Sequence, residues 1–115
     1  MAFINTMIKK YRIKKNEEFS SIIALKKSKA SDSFVVYFAP KKEEYSRIGI
    51  SVSKKLGVAV DRNKIKRQIR MMLANFYDFE NEANDLIIIA RKGYLEKAFK
   101  ENLSDLEKIT KSSII

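Results

Sequence analysis

The sequence predicts a single α+β domain, a sandwich of helices on a sheet in the order α-β-β-(β)-α-β-α. The bracketed strand is a short one that the hairpin loop after the first strand has room for. Three observations carry this reading. The chain has 115 residues, enough for one packed core and too few for two. Its hydrophobic residues, 45% of the total, fall into runs with strand periodicity and runs with helical periodicity that follow one another. One Pro and three Gly leave little for linkers or low-complexity segments.

Residues 1–14 lead into the basic cluster Lys9-Lys10-Tyr11-Arg12-Ile13-Lys14-Lys15, which has no sustained apolar period and reads as a mobile basic arm. Asn16 offers an N-cap, Glu17 and Glu18 suit the positive end of a helix, and Phe19, Ile22, Ile23 and Lys26 follow at helical spacing. The first helix is therefore expected from Asn16 to near Ser28. Ser33 to Ala39 is β-branched and aromatic and stops at Pro40, which cannot donate to a ladder; this is the first strand. After the solvated loop Lys41-Lys42-Glu43-Glu44, Arg47 to Ser53 alternates with period two. Ile48, Ile50 and Val52 face the core, and the small, polar opposite face (Arg47, Gly49, Ser51, Ser53) lets another group approach the sheet.

Lys54 to Val60 reads as a loop and Asp61 as the N-cap of a second helix reaching about Tyr77, with Ile65, Ile69, Met72 and Phe76 as its buried stripe. Leu86 to Ala90 fits a strand buried on both faces. Leu95, Phe99, Leu103, Leu106 and Ile109 recur at helical spacing and predict a third helix. The strand at Ile48, the second helix and the strand at Leu86 form a parallel crossover, right-handed by general rules.

With 24 Lys plus Arg against 14 Asp plus Glu, the net charge is +10, which implies a polyanionic partner. The chain has no Cys and no His, which excludes disulfides, thiolate sites, an imidazole base and the usual transition-metal sites. Chemistry of its own would have to come from carboxylates with bound metal. A free-standing nuclease of that kind would draw on acids such as Asp61 and Asp85, but no acids show convincing ligand spacing. No apolar run approaches the roughly 18 residues of a membrane span and no signal peptide is recognisable, so a cytoplasmic location is expected.

In the second helix Arg62, Lys66 and Arg70 recur at i, i+4 and i+8, with Asn63 and Arg67 on the flank and no acid between Arg62 and Arg70. Guanidinium forks suit phosphate oxygens, and Asn can bond to phosphate, sugar or base, so the face suits folded RNA. A solvated cationic helix face is the plainer reading of the same spacing.

The string Arg47-Ile48-Gly49-Ile50-Ser51-Val52-Ser53-Lys54-Lys55-Leu56-Gly57, followed after a spacer by Arg62-Asn63-Lys64-Ile65-Lys66-Arg67-Gln68-Ile69-Arg70, resembles the signature of the bacterial ribonuclease P protein family. Lys14 to Phe19, Phe34 to Tyr37 and Ile87 to Lys92 extend the likeness. Lys64 stands where the family has the second Arg of an Arg-Asn-Arg motif, keeping the charge and losing the fork. Val58 stands where Asn is frequent.

The resemblance implies a left-handed crossover. It also implies a protein that does not cleave RNA itself but binds a large catalytic RNA, whose metal ions, magnesium being expected, hydrolyse the phosphodiester at the tRNA 5′ end. No cofactor of the protein alone, no membrane and no DNA are implied. By the same likeness Arg62, Asn63, Lys64, Lys66, Arg67 and Arg70 contact the catalytic RNA, and Phe19, Val35, Tyr37 and Ser51 hold the single-stranded 5′ leader of precursor tRNA. Stacking on an aromatic suits leaders of varying sequence, although Phe19 also fits a plain core position. Lys54, Lys55, Arg91 and Lys92, at strand ends, are secondary RNA contacts. A ribosomal or other structural RNA-binding protein is the alternative that composition alone allows.

Overall fold

A computed structural model describes residues 9–111. Four strands, β1 (Ser28–Ala30), β2 (Phe34–Pro40), β3 (Ile48–Val52) and β4 (Asn84–Ala90), form one sheet in the order β1-β2-β4-β3. Three helices, α1 (Asn16–Ala24), α2 (Ala59–Phe76) and α3 (Phe99–Lys111), cover it. The period-two pattern sorts the side chains between two layers. Phe34, Val36, Phe38, Ile48, Leu86 and Ile88 point to one face, where Ile65, Ile69 and Met72 of α2 and Leu106 and Ile109 of α3 close the main core. Ile87, Ala39, Tyr37 and Ile89 point to the other, where Phe19, Ile22 and Ile23 of α1 pack. β4 is thus covered on both faces, as its continuous apolar run requires.

Strand pairing departs from the expected hairpin. β2 and β3 do not pair: β4 lies between them, antiparallel to β2 and parallel to β3, so β3-α2-β4 is the crossover unit. β4 carries the longest run of consecutive buried residues, Asp85 to Ile88, which suits the centre of the sheet. The additional strand is not in the loop after β2. It is β1, in the segment expected to end the first helix, and it pairs with β2 through Ser28↔Tyr37 and Ala30↔Val35. α1 stops at Ala24 instead of continuing to Ser28, because Lys26 adopts φ 60° and turns the chain back along the sheet.

Both expected N-caps shift. Lys15 caps α1 and Val58 caps α2, neither through its side chain, leaving Asn16 and Asp61 inside the first turns. Leu95 lies in a 3₁₀ turn, Lys92–Glu96, outside α3, and is 57% exposed.

The expected mobile arm is corrected over its described part. Residues 9–14 are packed: Tyr11 and Ile13 are buried, and the Ile13 N–H donates to the Ile48 carbonyl at 3.0 Å. Tyr11 stacks on Phe79 with centroids 4.5 Å apart. Residues 1–8 of that arm lie outside the described residues. Among the described residues no helix is long and apolar enough to cross a membrane.

Candidate RNA-binding surfaces

α2 presents five cations and one acid. At about 100° per residue, its buried stripe of Ile65, Ile69 and Met72 has Arg62, Lys66 and Arg70 on one flank, not on the opposite side. That flank is half-buried, whereas Asn63, Lys64 and Arg67 form the exposed crest. Among the described residues none of Arg62, Lys64, Lys66, Arg67 and Arg70 has a salt-bridge partner, while Lys10, Lys42, Arg47, Lys97 and Lys111 all do.

The half-buried flank faces the packed arm. Lys66 and Arg70 line a cavity of about 230 Å³ together with Arg12, Lys14 and Ile48. Burial and the nearby Arg12 guanidinium hold the Arg70 pKa below its ordinary value, and the buried Arg70 Nε has no hydrogen-bond partner among the described residues. Cations crowded in this way lose hydration and repel one another, so an anion there would relieve both costs.

A second, wider groove of about 520 Å³ opens beside it, and Lys14 and Lys66 line both. Its walls include Phe19 and Asn16 of α1 and Ser51 of β3. Gly49 lets Phe19 reach the sheet: a Cβ there would lie 2.6 Å from Phe19 Cζ and 2.7 Å from Ile87 Cδ1. Phe19 therefore does two things, packing on Ile87 and lining the groove. Register aligns Val35, Ile89 and Ser51 in one row across β2, β4 and β3, and Tyr37, Ile87 and Gly49 in the next. Val35 and Tyr37 share the face of Phe19 and Ser51 but do not line this groove; Tyr37 packs in the α1 layer.

β3 and β4 are parallel with Val52 beside Ala90, so Lys54-Lys55 and Arg91-Lys92 emerge at the same end of the sheet, all exposed. Arg91 is partly engaged, donating from Nη1 to the Ser31 carbonyl at 2.7 Å. Lys92 lines a polar cavity of about 380 Å³ beside Asp32.

Of the two acids a metal-dependent nuclease would use, Asp85 is buried and bound by Arg47 through both backbone N–H (2.9 Å) and Nη2 (3.2 Å). Asp61 is exposed on α2. Among the described residues no group of three Asp or Glu is disposed to hold a metal ion.

Sequence reasoning missed Arg12, Lys14 and Asn16 as lining residues. The signal was present in the alternation of Tyr11 and Ile13 with cations, which marks a segment with one buried face.

The ribonuclease P family model matches residues 7–113. A ribonuclease P protein component of Bacillus cereus is 46% identical over 108 residues, covering 93% of this chain and 94% of its own. The RNase P protein of Staphylococcus aureus superposes with a TM-score of 0.76 at 42% identity, covering 88% of this chain and 93% of that one. That of Thermotoga maritima superposes with a TM-score of 0.72 at 29% identity, covering 84% and 92%. Sequence and fold agree over nearly the whole described chain, which belongs to the ribonuclease P protein family, the RNA-binding components of a tRNA-processing ribonucleoprotein.

Proposed function

We propose that this chain is the subunit that holds the catalytic RNA of ribonuclease P along α2 and the 5′ leader of precursor tRNA over the sheet beside α1, supporting endonucleolytic removal of the leader in the cytoplasm. Hydrolysis is assigned to the RNA and its magnesium ions. One observation carries this reading: five α2 cations lie without an acid partner among the described residues, next to a groove with an aromatic wall. Arg62, Asn63, Lys64, Arg67 and the edge of Arg70 supply forked and single contacts to phosphate and sugar. In the groove the Phe19 ring offers a stacking surface, the Ser51 hydroxyl donates or accepts, and Lys14 and Lys66 take backbone phosphates. Val35 and Tyr37 extend the same face toward β2, and Lys54, Lys55, Arg91 and Lys92 rim its end.

Binding to catalytic RNA and to precursors with and without a leader tests the division. Arg67→Ala should weaken assembly with the catalytic RNA about tenfold, as expected for one charged hydrogen-bonding group. Phe19→Ala and Tyr37→Ala should weaken holoenzyme binding of leader-bearing precursor by about fivefold or more and leave leaderless tRNA unaffected, as for one lost stacking contact. Equal losses on both substrates would refute the assignment. RNA-free protein with magnesium should leave precursor tRNA intact; cleavage would overturn the placing of the chemistry in RNA.

A further inference from the structure

We propose that the cavity between α2 and the Lys92–Glu96 turn is a subsite for one unstacked guanine nucleotide of the bound RNA. This rests on the reading that α2 binds RNA and adds a base-specific contact to it. The cavity, about 410 Å³, lies across the buried stripe from the leader groove. Buried Leu56 and Ile65 form its apolar floor, and Leu95 stands over its edge, 57% exposed. The Leu95 side chain is placed to cover the face of a flat base lying on that floor.

The turn that carries Leu95 is firmly held. Gly93 lies so close to the Asp32 backbone that a Cβ would come 2.3 Å from its carbonyl oxygen. Tyr94 is buried edge-on to Phe34, and its carbonyl accepts from Asn102 Nδ2 at 3.0 Å. Its hydroxyl, whose pKa burial pushes up to about 12, stays protonated and donates to Gln68 Oε1 at 2.6 Å. Gln68 is thereby oriented, with the two protons of its amide nitrogen unpaired among the described residues. Asp61, seven residues earlier on the same helix face, lines the cavity, and its carboxylate has no ion-pair or hydrogen-bond partner among the described residues.

Those two groups select among bases. A carboxylate accepts from adjacent donors, and guanine alone offers N1–H and N2–H side by side, with the O6 acceptor next to them for the Gln68 amide. Uracil would turn a carbonyl toward the carboxylate. Seven helical residues set the two Cα atoms about 10 Å apart along the helix axis, so both side chains can reach one base placed between them. Lys64 at the rim, without a salt-bridge partner among the described residues, matches the phosphate, whereas Lys97 beside it is paired with Asp32 at 3.7 Å.

Two measurements on the full chain test this. In solution NMR, guanosine 5′-monophosphate should shift the Gln68 side-chain amide and Leu95 methyl signals at concentrations at least fivefold lower than the adenosine, cytidine or uridine monophosphates. Asp61→Asn, at an exposed position in the first turn of α2, should abolish that preference while lowering the melting temperature by only a few degrees, the cost of one carboxylate at a helix N-terminus. In the complex with catalytic RNA at saturating protein, one unpaired guanine should be protected from kethoxal, which attacks N1 and N2, by the wild type and not by Asp61→Asn. Equal response to all four nucleotides, the same shifts with inorganic phosphate, or no Asp61-dependent guanine protection would overturn the proposal; the last outcome with guanosine monophosphate shifts retained would mean a site for free nucleotide. Arg67→Ala separates the two readings. If it leaves RNA assembly intact, RNA binding by α2 fails; if it weakens assembly while guanine protection is absent, only the subsite fails.

Discussion

Arg47 ties α1 to the sheet. Its Nη2 donates to Glu18 Oε2 at 2.8 Å and to Asp85 Oδ2 at 3.2 Å, with the guanidinium side chain 13% exposed and Asp85 1% exposed. Removing the cation strands a buried carboxylate, so Arg47→Met should cost about 3–5 kcal/mol in a urea titration. Glu18 has its pKa lowered mainly by the Arg47 hydrogen bond, against the opposing effect of burial. A carboxylate with a depressed folded-state pKa contributes stability that is present above its ordinary value of 4.5 and lost as pH falls through the lowered one. Glu18→Gln should therefore flatten the fall in stability below pH 4.5 and lower stability at neutral pH. Gly49→Ala probes the same contact between α1 and the sheet two residues further along, in β3. The new methyl meets Phe19 and Ile87 at under 3 Å, so overpacking by about 1–3 kcal/mol should accompany a loss of leader binding that leaves RNA assembly unchanged.

At the scale of elements, the strands and helices with strong periodicity were legible. The alternation in Arg47 to Ser53 gave β3 and its two faces, and the run Leu86 to Ala90 gave a strand covered on both sides. Pairing was not legible, because an apolar run specifies burial and not its neighbour; only the assembled sheet puts β4 between β2 and β3. β1 was hidden because Ser28–Ala30 is short, carries no apolar face and owes its pairing to the reversal at Lys26. The α2 cations lie on one helix as their spacing requires, but spacing alone does not locate the flanking arm, so the half-buried setting of Lys66 and Arg70 beside Arg12 came only with tertiary structure. Of the four residues that the resemblance assigns to the leader, Phe19 and Ser51 share a groove, while Val35 and Tyr37 share only the sheet face.

Over the whole molecule the charge of +10 is unevenly distributed. α3 balances three cations with three acids, whereas α2 carries five cations and one acid and residues 9–15 carry five cations and no acid, so most of the excess lies along one helix and the segment beside it. Salt sorts the two surfaces because only phosphate contacts release counterions. Log affinity for the catalytic RNA should fall linearly with log salt, and Arg67→Ala or Arg62→Ala should each reduce the slope by about 0.7–0.9. Phe19→Ala and Tyr37→Ala remove aromatic area without charge, so they should lower leader-dependent affinity by the same factor at every salt concentration. Lys66 lines both cavities. Lys66→Ala should therefore reduce the slope for catalytic RNA and for leader-bearing precursor alike. A slope change confined to one of the two RNAs would show that Lys66 serves a single surface and that the two cavities act independently.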